Sequence, residues 1–203
     1  MAVIASNNGG GSNFEVIAEG VHTAICYSIV DLGDQYSEKF NNTSHKVLIT
    51  WELPDETIEI EGEIKPRAIS KEYTLSLNDK ANLKKDLEAW RGKKFTDEEL
   101  KGFDLANVLG KGCQLQVIHT SRGEKTYANI ASIMGLPKGM KTGVPVNPIV
   151  DFDLNADDAL TKLNTLPTWV QDKVKKSENY AAMVNSSSPG GFYPVEADEE
   201  LPF

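Results

Sequence analysis

Hydrophobic and polar residues begin to alternate at Val21. In "VHTAICYSIVDLG", Ile25, Tyr27 and Ile29 share one face while Ala24, Cys26 and Ser28 share the other, the period-two pattern of a strand. "HKVLITWEL" sets Val47, Ile49, Trp51 and Leu53 on a single face. "AISKEYTLSL" does the same with Ile69, Tyr73, Leu75 and Leu77, and the preceding "TIEIEGEI" reads as a hairpin arm. Between the first two strands, "GDQYSEKFNNTS" reads as a long polar loop. The period then changes. "NDKANLKKDLEAWRG" places Leu83, Leu87 and Trp90 at helical spacing, with Asn78 as the expected N-cap and Gly92 as the stop. A short second turn is expected through "TDEEL" and "DLANVLG". Two further strands, "CQLQVIHTS" and "KTYANIASI", flank a tight turn at Gly123.

Three strands, a helix and a two-strand hairpin form the element order of a five-stranded OB-fold barrel, which carries its helix between strands three and four. The fold class expected is therefore mainly β. Residues 1–13, rich in Gly, Asn and Ser, read as a flexible arm, and residues 14–134 as the OB domain. "GLPKGMKTGVPVNP" makes 135–150 a surface linker. Residues 151–184 read as a helical extension, built from "NADDALTKL" and "LPTWVQDKVKKSENYAAM". Leu166, Trp169, Val170 and Val174 form a stripe that packs back on the barrel. Residues 185–203 lack periodicity and read as a disordered acidic tail.

Composition narrows the function. A 40% hydrophobic share supports a core, and no apolar run reaches membrane-spanning length. The first residues lack the basic and apolar regions of a secretory signal, and the two cysteines, Cys26 and Cys113, read as reduced core residues, so a cytoplasmic setting is expected. The net charge of −9 disfavours a general polyanion binder. Its distribution weakens that objection, since 13 Lys/Arg face 9 Asp/Glu between Lys65 and Lys125.

Catalytic patterns are weak, and no enzyme activity or cofactor is expected. Gly110-Lys111 lacks the glycine spacing and Ser/Thr of a P-loop. His22, His45 and His119 fall on separate elements. Asp151, Asp153, Asn155 and Asp157 begin like a calcium loop, but Ala156 and Lys162 replace the required Gly and Glu. Two-metal nuclease chemistry on these acids is the lesser alternative.

A single-strand binding surface fits better, because it needs bases along the phosphates and aromatic faces for stacking. The candidates are Tyr36, Lys39, Phe40 and Lys46 around the first loop, Lys65, Arg67 and Lys71 entering the third strand, and Arg122, Lys125 and Tyr127 at the last hairpin. Tyr27, Trp51, Tyr73 and Trp90 share faces with aliphatic residues and read as core, while "RGKK" (Arg91, Lys93, Lys94) reads as a solvated helix end.

The last six residues, Asp198, Glu199, Glu200, Leu201, Pro202 and Phe203, resemble the C-terminal tip of bacterial single-stranded DNA-binding proteins, typically Asp-Asp-Asp-Ile-Pro-Phe. Pro202 and Phe203 match, and Leu201 stands in for Ile. The body, through "ITWEL", "LEAWRGKKF" and "LGKGCQLQVIH", is similar to phage-encoded OB-fold proteins of that type. The resemblance implies a domain that coats single-stranded DNA during phage replication, recombination or repair. It also implies a tip that recruits replication or recombination proteins. A replisome adaptor whose barrel binds protein is the alternative.

Overall fold

The computed structural model describes residues 16–60 and 62–187, so the arm of residues 1–13 and the Asp198–Phe203 tip lie outside the described residues. Among the described residues the chain runs β1 (Gly20–Ser37), β2 (Asn42–Ile60), β3 (Glu63–Thr74), α1 (Asn82–Arg91), α2 (Asp97–Lys101), a 3₁₀ turn (Leu105–Val108), β4 (Gly112–Arg122), β5 (Lys125–Met134), β6 (Val150–Phe152), α3 (Ala159–Leu163), α4 (Thr168–Lys175) and α5 (Glu178–Ser187). The protein is mainly β.

The hydrogen-bonded strand order is β3-β2-β1-β4-β5, antiparallel throughout, with the short β6 added parallel to β1. The expected five-stranded barrel differs in two respects: among the described residues no ladder joins β3 to β5, and a sixth strand is present. Helix α1 packs against both β3 and β5. Its Asp86 carboxylate accepts hydrogen bonds from Lys71 and Tyr73 of β3, and its Ala89 carbonyl accepts from Gly135 just beyond β5.

Two apolar layers sandwich β1 and β2. One contains Cys26, Ile29, Val47, Ile49, Trp51, Ile69, Tyr73, Leu83, Leu87, Trp90 and Cys113. Its tryptophans, Trp51 and Trp90, lie 5.9 Å apart in a tilted contact. The other lies on the opposite face, where Val30, Leu32 and Leu48 meet Phe152, Leu163, Leu166, Val170 and Val174. The stripe expected on the extension does pack back on the sheet. Because both its faces are covered, β1 is buried without interruption from Ala24 to Val30.

Several boundaries differ from the sequence reading, each for a local reason. The expected long loop between the first strands is only residues 38–41, because β1 and β2 pair out to Ser37 opposite Asn42. The hairpin arm is not separate but continues β2 and β3, with a bulge between Leu53 and Thr57. Asn78 does not cap α1. It closes a turn with Ala81, and Ala81 becomes the N-cap, without a side-chain hydrogen bond. Residues 135–150 are not a loose linker, since they are bonded to α1 and to β2 and end in β6. The single helix expected from Leu166 to Met183 is two, broken at Ser177, whose hydroxyl accepts from the Tyr180 N–H and so starts α5.

That break seats on Gly33. Gly33 has φ +69°, and a Cβ there would stand 2.8 Å from Ser177 Cβ and 2.9 Å from Asn179 Oδ1. The Asp34 N–H donates to the same Asn179 oxygen at 2.6 Å, and Gln35 donates to the Lys173 carbonyl at 3.0 Å. The C-terminal layer is therefore clamped to the base of the β1–β2 hairpin.

Leu87 and Leu163 sit in the two opposite layers. Leu87→Ala and Leu163→Ala should each lower stability by about 2–5 kcal/mol. In chemical denaturation followed by fluorescence and circular dichroism, both should shift one shared transition. A separate early transition in Leu163→Ala would mean that the C-terminal layer melts on its own.

Candidate nucleic-acid interface

The β1–β2 hairpin ends in a four-residue connection, Glu38–Asn41, closed by Phe40 N–H to Ser37 carbonyl and Asn41 N–H to Glu38 carbonyl hydrogen bonds. Asn41 is the one described non-glycine residue in the left-handed region, at φ 46°, a conformation that asparagine tolerates. Its side-chain oxygen accepts from the Tyr36 hydroxyl at 2.7 Å, which ties that ring to the turn. Phe40 is 69% exposed and Tyr36 58% exposed, and Lys39 Nζ stands 5.2 Å from the Phe40 ring centroid. Neither ring contributes to the core. Two aromatic faces and a cation are thus held in water on a turn fixed by hydrogen bonds.

Of the remaining candidates, Lys46 falls toward the same end of the hairpin and the others do not. β1 pairs with β2 out to Ser37, whereas β4 pairs with β1 only between Gly20 and Ile25 and then runs beyond it to Arg122. The β4–β5 turn consequently continues past the start of β1, whereas the β1–β2 tip lies at its end. Tyr36, Lys39, Phe40 and Lys46 form one group. Lys65, Arg67, Arg122, Lys125 and Tyr127 lie toward the other end, and Lys71 falls between them.

In the second group Arg122 pairs across the strands with Lys125, both exposed, on a two-residue turn in which Gly123 adopts φ +62°. Tyr127 is half-buried opposite Thr120. Lys65 lies 2.7 Å from Glu63. Lys71 bridges to Asp86 at 2.8 Å and stands over the Tyr73 ring, so it serves the fold. Lys46 donates to Thr74 Oγ1. Along the strands the bases therefore fall in two groups.

Among the aromatic residues read as core, Tyr27, Trp51, Tyr73 and Trp90 are all buried. Arg91 is a correction: it is no solvated helix end. Its guanidinium lies over the Phe95 and Phe103 rings, 4.4 and 4.8 Å from their centroids, and pairs with Glu99.

Two constellations were not visible in the sequence. His45 places Nε2 2.7 Å from Asp31 Oδ1 and Nδ1 2.9 Å from Asp34 Oδ1, at the hairpin base. Glu52 is fully buried, and its carboxylate accepts from the Val146 N–H at 2.7 Å, the Asn147 N–H at 2.9 Å and the Asn147 side-chain amide at 2.8 Å. These bonds offset the cost of burying the carboxylate and pin the 144–147 segment to β2. The only sequence signal for Glu52 was an acid at the end of an otherwise strong strand.

Several of the groups weighed for catalysis make local hydrogen bonds. His22 bonds the Ala18 carbonyl, and His119 bonds that of Ile17. Asp153 closes a local turn by accepting from the Asn155 N–H, and Asp158 pairs with Lys162. Among the described residues no cluster of three or more His, Cys, Asp or Glu is placed to hold a metal. Burial pushes the Cys26 thiol up to about 12 and the Cys113 thiol up as well. Among the described residues no helix is long and apolar enough to cross a membrane. No family model matches the chain, and no curated protein matches it either.

Two predictions test this geometry. Glu52→Gln keeps the shape but turns an amide donor toward other donors, and should cost about 1–3 kcal/mol in a denaturation titration. An unchanged midpoint would remove Glu52 from its clamping role. Cys26, with its thiol near 12, should be ~10⁻⁴ thiolate at pH 8. Thiol-specific labelling at that pH should be slow for both cysteines in the native protein and rapid in denaturant. Fast native labelling would contradict their placement.

Proposed function

We propose that this chain is a single-stranded DNA-binding protein built on an OB-type domain. It coats single strands during phage DNA replication, recombination or repair. The observation that carries the reading is the β1–β2 tip, where Phe40 and Tyr36 stand exposed beside Lys39 on a hydrogen-bonded turn. Folding gains little from rings in that position, whereas stacked bases would cover them. The strand path β3-β2-β1-β4-β5, with a helix after β3, supports the OB assignment, since that fold is a partly open barrel that uses the loop after its first strand and the loop between its last two for binding. Arg122 and Lys125 occupy the second of these loops. In this reading the Asp198–Phe203 tip recruits replication or recombination proteins, with Phe203 as its apolar anchor.

One observation favours a protein-binding role instead, that of a replisome adaptor. Val144 and Val146 are 87% and 72% exposed on the segment that Glu52 holds rigid, a form suited to an apolar partner.

Titration of the whole chain with oligo(dT) at two salt concentrations, by fluorescence anisotropy, separates the two roles. The DNA reading expects single strands to bind more tightly than duplex, with log affinity falling as log salt rises. Phe40→Ala should cost about 1–3 kcal/mol of binding while leaving the fold unchanged. Equal affinity for duplex, or no effect of Phe40→Ala, contradicts it, and absence of any oligonucleotide binding leaves the adaptor reading.

A further inference from the structure

Between Leu105 and Gly123, and again between Lys125 and Val150, the chain carries no Asp or Glu, although it holds 30 acids in 203 residues. The Lys and Arg residues of these two segments are Lys111, Arg122, Lys125, Lys138 and Lys141. Packing brings three of them to one place. Trp90 of α1 donates its Nε1–H to the Gly112 carbonyl at 2.9 Å. The 135–142 segment crosses Gly112 closely: a Cβ there would collide with Thr142 and stand 2.9 Å from Leu136 Cδ1. Lys111 precedes Gly112, while Lys138 and Lys141 lie between Leu136 and Thr142.

The backbone beneath these lysines is tied down. The Lys111 N–H donates to the Val108 carbonyl and the Lys111 carbonyl accepts from the Cys26 N–H, both at 3.1 Å. Lys138 sits in a turn closed by the Met140 N–H on the Pro137 carbonyl at 3.0 Å, where Gly139 adopts φ +88°. Beyond Lys141, the buried Glu52 carboxylate holds the Val146 and Asn147 N–H groups. All three side chains are exposed, and none forms an ion pair among the described residues. By contrast Lys65, Lys71, Lys84, Lys101, Lys162 and Lys173 each stand against a carboxylate.

We propose, on the single-strand reading above, that Lys111, Lys138 and Lys141 form a second contact surface for single-stranded DNA, which holds its phosphates apart from the β1–β2 tip. Charge decides the class of partner. A chain of net charge −9 repels a polyanion over most of its surface, and an acid-free patch is where one can approach. The tip offers stacking faces with Lys39 beside them, so phosphates beyond the stacked bases need cations elsewhere. Lysine suits that task, since its ammonium is a point charge that asks for no fixed geometry and reads no sequence. Such contacts are made by side chains and leave the backbone hydrogen bonds beneath them unchanged.

The test is oligo(dT) titration of the full chain between about 50 and 200 mM salt, comparing wild type with the triple variant Lys111→Gln, Lys138→Gln, Lys141→Gln. If each lysine neutralises one phosphate, the slope of log affinity against log salt becomes shallower by about 2 in the variant. Over that range the wild type then loses roughly 16-fold more affinity than the variant. A control, Lys80→Gln, Lys85→Gln, Lys162→Gln, removes the same charge from exposed positions elsewhere and should keep the wild-type slope. An equal change in the control overturns the proposal, because net charge alone would explain it. An unchanged slope in the triple variant overturns it too, while Phe40→Ala still weakening binding would leave the reading of the tip in place. No oligonucleotide binding by the wild type overturns both. If the triple variant keeps the oligonucleotide slope but loses a synthetic Asp198–Phe203 peptide, the patch serves acidic peptides and the proposal fails.

Discussion

The structure depends on burying β1 and β2 from both sides. A strand covered on one face alternates buried and exposed, whereas β1 is continuously buried from Ala24 to Val30. That state requires two apolar layers, one built with α1 and one built from β6 and the C-terminal helices. The 151–184 segment is thus part of the fold. Its removal would expose Val30, Leu32 and Leu48 together, at roughly 1.5–3 kcal/mol for each large side chain returned to water. Glu52 and Gly33 follow from the same constraint. The first anchors the crossing segment to the outer face of β2, and the second lets the α4–α5 break approach β1 closely.

Covering that face also decides where a ligand can reach. The outer sides of β1 and β2 belong to the C-terminal layer, and Lys173 of α4 pairs with Glu72 on the outer side of β3. Aromatic surface exposed to solvent is left at the β1–β2 tip, just beyond the clamp formed by Asp34, Gln35 and Asn179. The functional proposal rests on that tip. A rigid base and an exposed end suit recognition, because the rings need little further ordering when a partner covers them.

Much of the architecture was legible in the sequence, and the failures have physical causes. Val47, Ile49, Trp51 and Leu53 gave the inner face of β2 by simple alternation, and Leu83, Leu87 and Trp90 gave the buried stripe of α1. The outer face misled, because Ser28, Thr50 and Glu52 are polar residues that pattern assigns to solvent, yet here they are buried under a second layer. Tyr36 and Phe40 were found, but as members of a loop. Strand pairing out to Ser37 and Asn42 depends on hydrogen bonds that composition does not reveal. The ten candidate residues fall in two groups along the strands for a related reason. Residue type identified Arg122 and Lys125, but only the register placed them at the far end of β1. Arg91 was misread because its partners, Phe95, Glu99 and Phe103, assemble only when the turn after α1 folds back.

The claim that the exposed hairpin tip, and not the covered sheet face, meets single-stranded DNA can be tested by hydrogen-exchange mass spectrometry with and without excess oligo(dT). Protection gained on binding should concentrate in the peptides spanning the β1–β2 connection, residues 34–46. Exchange in β6 and α4 should stay unchanged, since the C-terminal layer remains seated. Faster exchange in β6 and α4 together with protection of the outer face of β1 and β2 would show that DNA displaces that layer, and would contradict the claim.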